Sequence, residues 1–130
     1  VVEAIEAGAA LPPSVEDKAH ASVQTHRSAI SRATEAGVRI AMGTDSGVTP
    51  HGHNLRELEL MVECGMTPAG ALEAATLSAA ELMGLEADLG TLEAGKLADV
   101  VVLEGDPYDF AGYSERVSAV WKAGEQVVGG

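Results

Sequence analysis

The feature that most constrains the fold is a change of rhythm at Gly84. Before it, apolar residues recur at steps of three and four; after it, closely spaced glycines separate β-branched runs. A period near 3.6 buries a helical stripe, whereas short β-branched runs bounded by turn residues make strands. The chain therefore reads as two parts: helix–strand–helix–helix in residues 1–84, and an all-β remainder in residues 85–130. No internal repeat or low-complexity tract cuts across this division.

Within the first part, Pro12-Pro13-Ser14 breaks any earlier element, and Ser14 with Asp17 forms a capping-box pattern. Val15, Ala19, Val23, His26, Ile30 and Ala33 then keep helical spacing until Gly37 stops the helix. Val38–Met42 reads as a short strand that Gly43 ends. Asn54 is the next expected N-cap, with Glu57 at N3. Leu55, Leu58 and Val62 form the apolar stripe of that helix, widened by Leu60 and Met61, while Glu59 and Glu63 face away and Gly65 closes it. Thr67-Pro68 opens a further helix with proline at N1. Its buried face is expected at Leu72, Ala75, Ala79 and Leu82, and its end at Gly84. In the second part, Val100-Val101-Val102 reads as a strand and VSAVWKAGEQVVGG as a hairpin with Ala123-Gly124 at its tip.

Composition narrows the functions open to such a chain. Apolar residues make up 46% of its 130 residues but aromatics only 3%, so the core must be built from aliphatic side chains. The formal net charge of −12, spread along the chain, repels phosphate backbones and argues against nucleic-acid partners. It also argues against binding a membrane through a basic face, and no apolar run approaches the length of a span. The first residues carry no basic n-region, so they do not read as a signal peptide, and the cytoplasm is the expected compartment. The absence of an initial Met suggests that something precedes Val1. A single cysteine, Cys64, makes no internal disulfide and is expected as a small apolar helix residue.

The chemistry concentrates in GTDSGVTPHGHN, residues 43–54. A strand ending in Gly-Thr-Asp puts Asp45 at its carboxyl end, the end where loops of α/β proteins converge around active sites. A lone carboxylate there more often caps a turn or a helix. His51, Gly52, His53 and Asn54 follow in one short loop, and carboxylate with imidazole suits zinc or a similar divalent ion. A metal needs three or four protein ligands, however, and His51 and His53 share a face only if the loop is extended between them. His20 and His26, six residues apart on the first helix, do not share a face and are expected at the surface.

Several short motifs occur in order: Gly43-Thr44-Asp45-Ser46-Gly47, then His51-Gly52 and Asn54, Glu57-Leu58, Ala75-Thr76, Gly90-Thr91, and Gly95-Lys96-Leu97-Ala98-Asp99. Together, from about residue 14 to the end, they closely resemble the C-terminal part of metal-dependent amidohydrolases. The nearest subgroup is the imidazolonepropionase-like and Xaa-Pro dipeptidase (prolidase)-like enzymes. The resemblance implies an α/β fold: the end of a metal-bearing (β/α)8 TIM barrel in residues 1–84, then part of a small β-sandwich in residues 85–130. It implies that Val38–Met42 is the eighth barrel strand. Asp45 then matches the family's metal-binding aspartate, which takes a proton from the attacking water and returns it to the leaving amine. His51 and Asn54 match a pattern beside the site, where substrate binding is implied; for Asn54 a plain helix cap is the competing reading. Asp99 falls in the GKLAD signature, which reads as structural. The implied cofactor is a divalent metal, zinc first, as one or two ions. The implied substrate is a small amide: a dipeptide, an N-acyl amino acid or a cyclic amide.

The chain also departs from the family. His51-Gly52-His53 looks like the family's His-x-His metal motif, but that motif belongs on the first barrel strand, so its role is not transferred. The first-strand histidines, the bridging lysine and two later metal histidines have no counterpart here. Eight βα units take roughly 250 residues, so the chain is expected to be a fragment or a truncated product, inactive alone, with exposed apolar helix faces that favour self-association into a homo-oligomer. Two other readings stay open: a non-catalytic interaction protein that keeps the β-sandwich, and a small acidic metal-binding module using Asp45, His51 and His53.

Overall fold

A computed structural model describes residues 13–44 and 52–129, the side chains of 13–16, 19 and 20 excepted. Among these residues, four α-helices lead into a three-stranded sheet: α1 (Pro13–Glu35), α2 (Arg56–Glu63), α3 (Pro68–Ala75), α4 (Leu77–Met83), β1 (Val100–Leu103), β2 (Val117–Lys122) and β3 (Glu125–Val128), with a 3-10 turn at Tyr113–Arg116. Helices and a sheet are both present, as an α/β chain requires.

Glycine-terminated helix ends form as the sequence implies. After α1, Gly37 adopts φ 68°, its amide donates to the Thr34 carbonyl at 3.0 Å, and the Val38 amide donates to Ala33 at 2.9 Å. This is the Schellman closure, which needs a left-handed residue that glycine supplies without strain. Gly65 and Gly84 repeat it after α2 and α4, with Met66 donating to Met61 at 3.2 Å and Leu85 to Ala80 at 2.8 Å. At the other end of α3, the Thr67 hydroxyl accepts the Gly70 amide at 3.1 Å and Pro68 occupies the first turn.

Four expectations need correction. Val38–Met42 forms no strand ladder among the described residues. A strand needs a neighbouring backbone to bond, and this segment is held instead by helices: Met42 donates to the Ala74 carbonyl at 2.9 Å, and Arg39 pairs with Glu81. The helix expected over 67–84 is two helices, broken at Thr76 (φ −124°, ψ −88°). The break changes the facing of its second half, so Leu82 is 78% exposed and Ala80 is buried in its place. α2 is not capped by Asn54: the N-cap is Leu55, which carries no side-chain cap bond, and Asn54 contributes only its carbonyl to the Glu57 amide at 3.2 Å. Lastly α1 already includes Pro13 and Ser14, two residues before the Val15 start that the cap pattern implies.

The core joins both parts of the chain. Leu58 and Met61 of α2, Ala71 and Ala74 of α3, and Phe110 and Tyr113 form one buried cluster, with Ile40, Met42 and Leu103 packed against it. Alanines at 0% and 1% exposure on α3 let the 40–42 backbone come close. Phe110 and Tyr113 meet edge to face at 5.3 Å, and the Arg116 guanidinium lies over Tyr113 at 5.4 Å. Arg116 also donates to the Glu104, Asp106 and Asp109 carbonyls, gathering the 104–109 loop around one cation.

The sheet runs β1-β2-β3, antiparallel throughout, with Val100 opposite Trp121 and Lys122 opposite Glu125. Ala123 (φ 50°) and Gly124 (φ 82°) form the two-residue tip, both left-handed as a type I′ turn demands. Asp99 binds this tip: one carboxylate oxygen accepts the Ala123 amide at 2.7 Å, the other pairs with Lys122, and the Gly124 amide reaches the Ala98 carbonyl at 3.0 Å. The structural reading of Asp99 is thus met by its contacts.

Candidate functional site

The 38–44 segment threads between α1, α2 and α3 and ends at Gly43 and Thr44 on the rim of a cavity of about 480 Å³. Its lining combines apolar side chains, Ile40, Met42 and Leu60 among them, with the polar ones of His53, Asn54 and Glu57. The lining comes from α1, through Val23, His26, Arg27 and Ile30, from the 38–44 segment held by α3 and α4, from the 53–54 turn and from α2. Gly52, with φ 94°, turns the chain into α2.

Asp45 and His51 lie outside the described residues. Asn54 is exposed beside the cavity, as is His53, so both are accessible to a solute there. His26 is exposed on α1 as expected and also lines the cavity; the His20 side chain lies outside the described ones. Cys64 is buried at 8% exposure and unbridged, in keeping with a small apolar role.

Two charged residues at this rim were not singled out as site residues from the sequence. Glu57, assigned there to a capping box, lines the cavity instead. Arg56 spans α2, pairing with Glu59 and donating to Glu63 at 3.0 Å, while Glu63 also meets Arg27 of α1 at 3.4 Å. Partial burial pulls the Arg56 pKa down, but the hydrogen bond to Glu63 and the charges of Glu59 and Glu63 outweigh it and raise the value. The result is a charged strap between α1 and α2 along the cavity. The signal was present in the sequence as the i, i+3 and i, i+7 spacing of Arg56, Glu59 and Glu63.

Residues 45–54 carry donor types that suit a divalent cation, carboxylate and imidazole. Among the described residues, no group of three His, Cys, Asp or Glu is placed to hold an ion. Of these donors only His53 lies among the described residues. No helix of the described residues is long and apolar enough to cross a membrane.

Comparison with known proteins resolves the lineage. The sequence profile of the amidohydrolase family matches residues 4–127. Ochratoxinase of Aspergillus niger is 42% identical over 113 residues, covering 83% of this chain and 23% of the relative. Imidazolonepropionase of Shouchella clausii is 36% identical over 104 residues, covering 74% of this chain and 23% of the relative. A crystal structure of a Xaa-Pro dipeptidase with methionine bound in its active site superposes with a TM-score of 0.82 at 39% identity, covering 92% of this chain and 29% of that one. The chain thus spans about a quarter of the length of these relatives, and its similarity extends over the helices and the sheet alike. On the match of the profile over nearly all its residues, the chain belongs to the amidohydrolase family.

Proposed function

We propose that the chain is the C-terminal part of a metal-dependent amidohydrolase that hydrolyses a C–N bond of a small amide, a dipeptide or N-acyl amino acid before a cyclic amide. Residues 1–84 belong to the end of a (β/α)8 barrel and residues 85–130 to a small β-sandwich. Asp45 is the catalytic carboxylate and one ligand of the metal. It takes the proton of the attacking water and passes it to the leaving amine, and its oxygens are the chain's contribution to holding the ion. A bound divalent ion, zinc by preference, supplies Lewis-acid polarisation of the scissile carbonyl. His51 and Asn54 bind substrate at the rim. The 130-residue chain alone is inactive, because one carboxylate does not make a metal centre.

The observation that supports this reading most is the anchored 38–44 segment, which opens onto the cavity immediately before Asp45 in sequence. The family membership and the likeness to a Xaa-Pro dipeptidase support the choice of substrate class. The test is hydrolysis of a panel of Xaa-Pro dipeptides and N-acyl amino acids by the whole enzyme and its Asp45→Asn variant. Loss of a positioned acid–base group removes roughly 100- to 10,000-fold in rate, and the variant is expected at the far end of that range because a metal ligand is lost with it. Hydrolysis by Asp45→Asn within about twofold of the parent would overturn the assignment.

A further inference from the structure

The Ala75-Thr76 motif has no part in the function as described so far, yet it is where α3 stops and α4 begins. Thr76 leaves helical geometry there, at φ −124° and ψ −88°. Its hydroxyl donates to the Leu72 carbonyl at 2.7 Å, while its amide donates to Glu73 at 3.2 Å. In an unbroken α-helix the Leu72 carbonyl would take the Thr76 amide, and the Ala74 carbonyl would take the Ser78 amide. Thr76 thus satisfies Leu72 with its side chain in place of its backbone, which lets the chain leave the helix at this point. The break puts the Ala74 carbonyl in the last turn of α3, where carbonyls have no intrahelical donor. That carbonyl accepts the Met42 amide at 2.9 Å.

The bond is well sited to fix a backbone. Ala74 is 1% exposed, so water competes little for its carbonyl. Met42 packs against the buried cluster that contains Ala74 and Leu58. Its neighbours Gly43 and Thr44 line the cavity, and Asp45 follows three residues after it.

We propose that Thr76 is a positioning residue. By interrupting the helix it offers the Ala74 carbonyl as a fixed anchor for Met42, and so sets where the segment leading to Asp45 enters the catalytic centre. This deepens, and rests on, the role given to Asp45 above. An error of about 1 Å in such positioning costs on the order of 100-fold in rate.

The experiment compares Thr76→Val, which keeps the size and removes the hydroxyl, with Thr76→Ser, which keeps the hydroxyl. Both are made in the whole enzyme, with Asp45→Asn as control. Three quantities are read: amide exchange of Met42, kcat and KM on an Xaa-Pro dipeptide, and the unfolding temperature. Thr76→Val is expected to speed Met42 exchange at least about tenfold and to lower kcat roughly 10- to 100-fold with KM within about twofold, and Thr76→Ser to restore both. A Thr76→Val variant that unfolds at a lower temperature but keeps parental Met42 exchange and kcat would reduce Thr76 to a helix cap and overturn the inference. Should Thr76→Val fail to fold, Met42 exchange in the parent decides: protection equal to that of the Leu58 amide supports the anchor, and unprotected exchange overturns it. If Asp45→Asn stays active, the proposed function fails while Met42 exchange still tests the anchor; if Asp45→Asn is inactive but Thr76→Val turns over at the parental kcat, the anchor alone fails.

Discussion

Replacing Gly90 by alanine combines two penalties that the structure separates. Gly90 sits at φ 94°, a conformation that costs an L-residue about 1–2 kcal/mol. An added Cβ would also lie 2.8 Å from the Ala80 Cβ, 3.1 Å from the Leu77 Cα and 3.3 Å from the Thr76 carbonyl oxygen. None of these atoms is the end of a flexible side chain. Ala80 is 7% exposed and has only its methyl to move, so relief must come from shifting α4 or the 88–90 turn. Overpacking of this kind costs about 1–3 kcal/mol, and the sum for Gly90→Ala is about 2–5 kcal/mol. Gly95 supplies the control, since it has φ 99° but nothing within 4 Å of its virtual Cβ. Gly95→Ala should therefore lose only the backbone share, about 1–2 kcal/mol. Urea titration of the two variants beside the parent measures both, with the gap between them reporting the contact with α4. Equal midpoints for the two variants would refute the claim that Gly90 is fixed by close approach to α4.

Two further outcomes follow from the packing and the hairpin latch. Leu58, 2% exposed at the centre of the core cluster, should cost about 2–5 kcal/mol when cut to alanine; a urea midpoint unchanged from the parent would mean that the cluster is not the core. The Asp99 carboxyl is held below its usual range, first by the hydrogen bond from Lys122 and then by the Ala123 amide. A carboxylate with a lowered folded pKa adds stability that is complete above its unfolded value, about 3.9, and is lost as pH falls through the folded one. Exchange of the Ala123 and Gly124 amides, corrected for intrinsic rates, should therefore quicken as pH drops below about 4. In Asp99→Asn it should be fast at neutral pH and show no such acid step; an acid step retained in that variant would contradict the latch.

What the sequence disclosed and what it withheld divide along a physical line. Gly37, Gly65 and Gly84 mark helix ends because a left-handed closure is a local demand that only a few residues meet. Thr67-Pro68 and Ala123-Gly124 are legible for the same reason: a cap bond three residues on and a left-handed two-residue tip are local demands. The main misreadings concern features that no turn residue marks. Val38–Met42 has the composition of a strand, but a ladder depends on what lies alongside, and here α3 and α4 take its Met42 amide and Arg39 side chain. The apolar spacing of Leu72, Ala75, Ala79 and Leu82 runs through Thr76 with no glycine or proline to mark a break, so the turning of α4 and the exposure of Leu82 were hidden. Glu57 was absorbed into a capping pattern and its place at the cavity rim went unread. Motif order, by contrast, pointed to the family that the profile match establishes.

The central claim is that the Asp45 carboxylate binds the catalytic metal. Anomalous diffraction at the zinc edge from crystals of the whole enzyme soaked with Zn²⁺ tests it most directly. The expected result is an ion with an Asp45 carboxylate oxygen at about 2.0–2.2 Å, and no such ion in crystals of Asp45→Asn. A fully occupied ion whose ligands exclude Asp45 would contradict it.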